Sequence, residues 1–152
     1  MADLATANNS NLVKANASDF QIPRGYICTL DITTIAGKVQ LAKALNGAIS
    51  VADKVNVPLR VTDVVTTQGV RSRTGEECVN TYLITEDGTV YFSQSDGIAR
   101  SVKILVGIFT DANSNTFINP VEAGIAFMIQ EQKMANGNTL KTVIPVELPT
   151  NE

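Results

Sequence analysis

Two tyrosines and two arginines carry the chemistry most worth placing in this chain. Tyr82 and Tyr91 flank an acidic turn, Glu86-Asp87-Gly88, while Arg71 and Arg73 stand close together between Gly69 and Gly75. A phenol ring offers a π-face on which a flat heterocycle can stack, a contact of about 1–3 kcal/mol. A guanidinium grips an anion through paired donors, and best a carboxylate or phosphate. Asn80 belongs beside Tyr82 on the same strand face, and Arg60, Lys133 and Lys141 are further cations that such a surface could use. The set suits a flat, anionic ligand. Each residue also has an ordinary explanation. Tyrosine favours strands and packs under helices or loops. Glu76 and Glu77 follow the arginines and can neutralise them, and Arg60, Lys133 and Lys141 can be plain strand-surface charge.

Composition narrows the alternatives. There is no histidine, which removes the commonest general bases, nucleophile–imidazole pairs and most transition-metal sites. Asp31, Asp53, Asp63, Asp87, Asp96 and Asp111 are scattered, and the sequence holds no phosphate loop, GxSxG elbow or metal-ligand cluster. The expectation is a binding protein rather than an enzyme, with no cofactor and no metal. Cys28 and Cys78 read as two thiols of a reducing compartment. The net charge of −3 counts slightly against a polyanionic ligand, although the local field of a groove decides that question. No apolar run approaches the roughly 20 residues of a membrane span, and the first residues carry no secretory pattern. A cytoplasmic protein away from membranes is expected.

The elements that must position these residues follow from periodicity. Residues 1–19 are rich in Ala and Asn and read as a flexible arm, either a simple tail or a segment that docks on a neighbouring subunit. One domain is expected over 20–148, with 149–152 as a tail. After an apolar stretch at Tyr26–Leu30, the spacing of Ile35, Val39, Leu41, Ala42 and Leu45 predicts a helix over Thr34–Asn46. A strand follows from Val57 to Thr67, with a bulge near Asp63-Val64-Val65, then a flexible polar loop over 68–76. In the second strand, Glu77–Thr85, Val79, Thr81 and Leu83 are expected to face inward and Asn80, Tyr82 and Ile84 outward. In the third, Thr89–Ser93, Val90 and Phe92 are expected inward and Tyr91 outward, which would set the two tyrosines side by side on a wet surface.

Ser95 or Asp96 can cap a second helix whose apolar side holds Ile98, Val102, Leu105 and Phe109, with Arg100 and Lys103 nearer the polar side. The turn-rich stretch 110–115 ends it. Strands Ile125–Lys133 and Thr139–Leu148 are joined at Asn136-Gly137, a strong hairpin signal. The fold class is therefore mainly β with added helices. Five strands with a helix between the third and fourth match an oligonucleotide-binding (OB) barrel preceded by an N-terminal helix; other small barrels and an α+β sheet also fit.

The segment Asn80–Ile98, running NTYLITEDGTVYFSQSDGI, resembles the single-stranded-DNA-binding proteins of some phages and conjugative plasmids. There too an Asp-Gly hairpin leads into an aromatic strand and a Ser-x-Gly-Ile helix start. The resemblance implies an OB fold and sequence-independent, non-catalytic coating of exposed DNA, with RNA as a possible second ligand, in phage or plasmid replication inside a bacterial host. It supplies no contact residues. On that reading bases stack on Tyr82 and Tyr91, phosphates meet Arg71 and Arg73, and copies self-associate along the strand, through the arm if it docks. A phage decoration or tail protein is the alternative that the β content and Asn/Thr richness also allow.

Overall fold

The computed structural model describes residues 25–149. It opens with an extended strap, residues 25–30, laid along the sheet. Thr66 N donates to Ile27 O (2.7 Å), Ile27 N to Thr66 Oγ1 (2.7 Å) and Thr29 N to Val64 O (3.0 Å). Helix α1 (Ile35–Gly47) follows, its first turn closed by Gly37 N donating to the Thr34 hydroxyl. The remaining elements are β1 (Ile49–Ser50), a 3₁₀ turn at Ala52–Lys54, β2 (Pro58–Leu59), β3 (Val61–Val70), β4 (Glu77–Thr85), β5 (Val90–Ser93), α2 (Asp96–Ile108), β6 (Thr110–Asp111), β7 (Thr116–Phe117), β8 (Ile125–Lys133) and β9 (Thr139–Glu147).

The expected long first strand exists as β2 plus β3. The two halves part company at Arg60, where β2 pairs with β8 and β3 with β4, and the β3 register slips just beyond, between Val61 and Asp63. One bent segment thus serves two sheets, ordered β1-β5-β4-β3 and β2-β8-β9. Between them lies the main core of Leu59, Val61, Val64, Leu83, Phe127, Ile129 and Val143, plugged from one end by Ile98, Val102 and Leu105 of α2. Full burial of such a side chain is worth about 1.5–3 kcal/mol. The fold is mainly β, with the strand and helix order of an OB-like protein.

The sheets do not close into a barrel. Among the described residues β9 forms no ladder with β5, and each facing edge bonds to another element. On β9, Val143 N donates to Ser101 Oγ of α2 (2.8 Å). On β5, the parallel pair Ile49–Tyr91 and Ser50–Phe92 brings in β1, and Val51 N donates to Phe92 O (3.2 Å). Helix α2 lies so close to β9 that a Cβ on Gly97 would sit 2.2 Å from Lys141 O. Contacts with α2 on one side and β1 on the other thus stand where closure would pair the two strands, which leaves a seam.

A second core lies on the outer face of β4–β5. Leu41 and Ala44 of α1 and Leu30 of the strap cover Val65, Tyr82, Ile84 and Val90. The helix is where the spacing predicts it, and Leu41 and Leu45 of the expected stripe pack inward, but the first half of that stripe does not. Ile35 and Val39 stay exposed, and Gly37, Leu41 and Ala44 are buried. Gly37 is required where the chain turns into α1, since a Cβ there would lie 1.9 Å from Asp31 O. The stretch read only as a turn after α2 instead forms the small β6–β7 hairpin.

Candidate functional site

The two tyrosines do not form a shared platform. Tyr82 points to the outer face as its alternation predicts, but α1 covers that face and leaves the ring 8% exposed. Tyr91 points the other way. It pairs across the ladder with Leu83 and packs on the main core, whereas Phe92 pairs with Tyr82 and Val90 with Ile84. The expected facing of β5 is therefore reversed. The reason is the turn: Glu86-Asp87-Gly88 is a three-residue loop closed by Thr85 N donating to Thr89 O (2.9 Å) and Gly88 N to Thr85 O (3.0 Å). With Thr85 opposite Thr89, Ile84 must oppose Val90 and share its face. That count was available in the sequence. The cover supplied by α1 was not.

What the structure gathers instead is a groove at the open seam. Phe92 and Lys141 line it together with Arg71, Gln94, Ser50 and Ser93, around a volume of about 360 Å³. An adjoining hollow contains Arg73 and shares Arg71 and Gln94 with it. Phe92, half-buried, is backed by the Tyr82 ring with centroids 5.3 Å apart. It is the aromatic residue that the sequence reading assigned to the core.

Arg71 is held rather than loose. Its turn is closed by Arg71 N donating to Glu76 O (2.9 Å) and Gly75 N to Arg71 O (2.8 Å), with Gly75 in the left-handed region at φ 74°. The expected flexible loop is thus a tight turn beyond a longer β3. Arg71 Nη2 donates to Gln94 O (3.0 Å) and to Asp96 Oδ1 (3.3 Å). Both bonds use one nitrogen of a group with five donors. Lys141 lies 3.8 Å from Glu131. Gln94 Nε2 donates to Asn80 Oδ1 (3.0 Å), and Asn80 itself is wedged against Gly69, where a Cβ would meet its Oδ1 at 2.2 Å. Asn80 therefore positions Gln94 from below. The groove combines an aromatic floor, two cations and neutral hydrogen-bonding groups, which can receive a flat ring and an attached anion.

The other candidates lie apart from it. Arg60 pairs with Glu86 in a separate cleft that Tyr91 and Lys54 also line, the Lys54 ammonium 5.9 Å from the Tyr91 ring centroid. Lys133 is exposed at the end of β8, beside the Asn136-Gly137 hairpin. On the outer face, Thr29 Oγ1 donates to Asp63 Oδ1 (2.8 Å) and accepts from Val64 N (2.9 Å), which pins the strap. Burial raises the Asp63 pKa above the ordinary carboxylate value, outweighing the bonds from Thr29 and Thr62. Burial likewise pushes the Cys28 thiol up; Cys28 and Cys78 are both free. No helix among the described residues is long and apolar enough to cross a membrane.

A family model described as phage single-stranded DNA-binding protein, of the phi29 type, matches residues 22–142, most of the chain. Neither the curated proteins nor the solved structures gave a match.

Proposed function

The chain belongs to the phage single-stranded DNA-binding protein family, and from that premise we propose that it coats unpaired DNA during phage replication by laying the strand in the seam between β5 and β9. One observation carries this reading: Phe92, Arg71 and Lys141 line a single groove that neither sheet closes. A base stacks on Phe92, while Arg71, Arg73 and Lys141 neutralise the adjoining phosphates. Asn80 holds Gln94 in place for the backbone or base edge. Stacking and charge recognise no particular sequence, so binding is sequence-tolerant and weakens with salt, by about 0.7 in log–log slope per phosphate neutralised. Arg60, Lys133 and Tyr91 lie outside the groove and serve as secondary contacts.

The protein acts without catalysis, cofactor or metal, in the bacterial host cytoplasm, as one domain over 20–148 between a short N-terminal arm and a C-terminal tail. Copies associate along the strand through residues 1–19, and deleting that arm lowers the cooperativity of coating without abolishing binding. The decisive test titrates oligo(dT), oligo(U) and duplex DNA at two salt concentrations, with the native chain and with Arg71→Ala/Lys141→Ala. The native chain should prefer oligo(dT), and the double variant should bind it at least ten-fold more weakly. Equal affinity of the two proteins would remove the seam from the mechanism.

A further inference from the structure

Helix α2 carries a second feature that the seam does not use. Asp96, Ala99, Arg100 and Lys103 recur at helical spacing and form one stripe, about 10 Å long at about 1.5 Å per residue. This stripe is one wall of a groove of about 420 Å³; Thr66 and Val79 of the β3–β4 ribbon form another, and Tyr26 closes it. The strap carrying Tyr26 is fixed at the next residue, since Ile27 exchanges hydrogen bonds with Thr66 through both its N–H and its carbonyl. An aromatic ring on a tethered backbone thus faces the same hollow as two exposed cations.

The two grooves are adjacent. Asp96 lines the α2 groove and is also the carboxylate that receives Arg71 Nη2 at 3.3 Å, while Ser95, its neighbour, lines the seam. Asp96, the acid that lines the junction among the described residues, is therefore paired with an arginine of the seam, and Arg100 and Lys103 follow it along the α2 groove. We infer that single-stranded DNA leaving the seam passes the start of α2 and continues into this second groove, where Tyr26 stacks a base and Arg100 and Lys103 take two phosphates. The extension rests on the seam reading and deepens it by giving the strand its path and a longer site.

The chain has three tyrosines and no tryptophan, so tyrosine emission reports on Tyr26, Tyr82 and Tyr91 alone. Oligo(dT) of increasing length should be titrated into the full-length protein and into Arg100→Gln/Lys103→Gln, Tyr26→Phe and Arg71→Ala/Lys141→Ala. The shortest oligonucleotides that bind should not distinguish Arg100→Gln/Lys103→Gln from the native chain. Longer ones should bind it at least ten-fold more weakly, with a salt slope smaller by about 1.4, about 0.7 for each cation lost. Quenching by the long oligonucleotides should shrink in Tyr26→Phe, whereas quenching by the short ones should not.

Native affinity and slope for Arg100→Gln/Lys103→Gln at every length would overturn the extension and leave the seam standing. An equal loss at every length would overturn it too, making the α2 groove the first contact. Failure of the seam reading is separately visible, as native binding by Arg71→Ala/Lys141→Ala.

Discussion

The outer face of β4–β5 is dry over one half and open at the other. Over Tyr82, Ile84 and Val90 it is sealed by α1 and the strap, while Phe92, directly across the ladder from Tyr82, comes out half-buried at the seam. The residue types barely differ between the halves. What differs is the cover: α1 ends at Gly47, and β1 beyond it pairs with β5 by only two residues. An aromatic side chain becomes structural or available according to which piece of chain lies over it, and Tyr82 ends as the backing for Phe92.

Stripping the cover should produce the largest effect. Leu41→Ala is expected to lower the unfolding free energy by about 2–5 kcal/mol, read from urea denaturation, while the folded fraction binds oligo(dT) as before. A large gain in affinity would mean that the face beneath α1, not the seam, receives DNA. The reverse behaviour is expected at the seam. Arg71→Ala/Lys141→Ala should weaken binding by about 10–100-fold, or about 1.4–2.8 kcal/mol, and change the urea midpoint little, because both side chains are partly exposed and their ion pairs are weak.

A smaller effect probes the interior between the halves. Thr81 is fully buried and its Oγ1 has no hydrogen-bond partner among the described residues. Thr81→Val should raise stability by about 1 kcal/mol and leave binding alone; a loss of stability would show that the hydroxyl is satisfied in solution. The smallest effect is expected from Asp63 on the covered side. Its pKa is raised by burial above 3.8, so the folded chain keeps that proton to higher pH than the unfolded chain does. Its contribution to stability should therefore be greatest below the ordinary carboxylate value and fall as pH rises through the interval up to the raised one. Unfolding measured across that interval should show the slope in the native chain and a flatter line in Asp63→Asn.

Local pattern was enough for both helices and the long strands, though not for β1 or the β6–β7 hairpin. Alternation placed β4 at Glu77–Thr85 and β8 at Ile125–Lys133, and Ser95 capped α2 as its side chain allows. The bulge near Asp63 was also visible, because alternation breaks there whatever the partner strand does. The family segment around the Asp-Gly hairpin was legible for the same reason, as it is contiguous. Arg71, Arg73 and Lys141 could be named as cations of the right kind, but not as neighbours of Phe92.

The order of the long strands and helices, the absence of imidazole chemistry and the positions of the Asp-Gly and Asn-Gly hairpins were thus determined by the sequence alone, since each depends on residues a few positions apart. Only the tertiary structure decided which aromatic reaches solvent. That outcome depends on α1 packing Leu41 and Ala44 on β4 and β5 and on Ser101 and β1 engaging the edges that would have closed the barrel. These contacts join residues some forty positions apart, and no periodicity within either segment encodes the other's place.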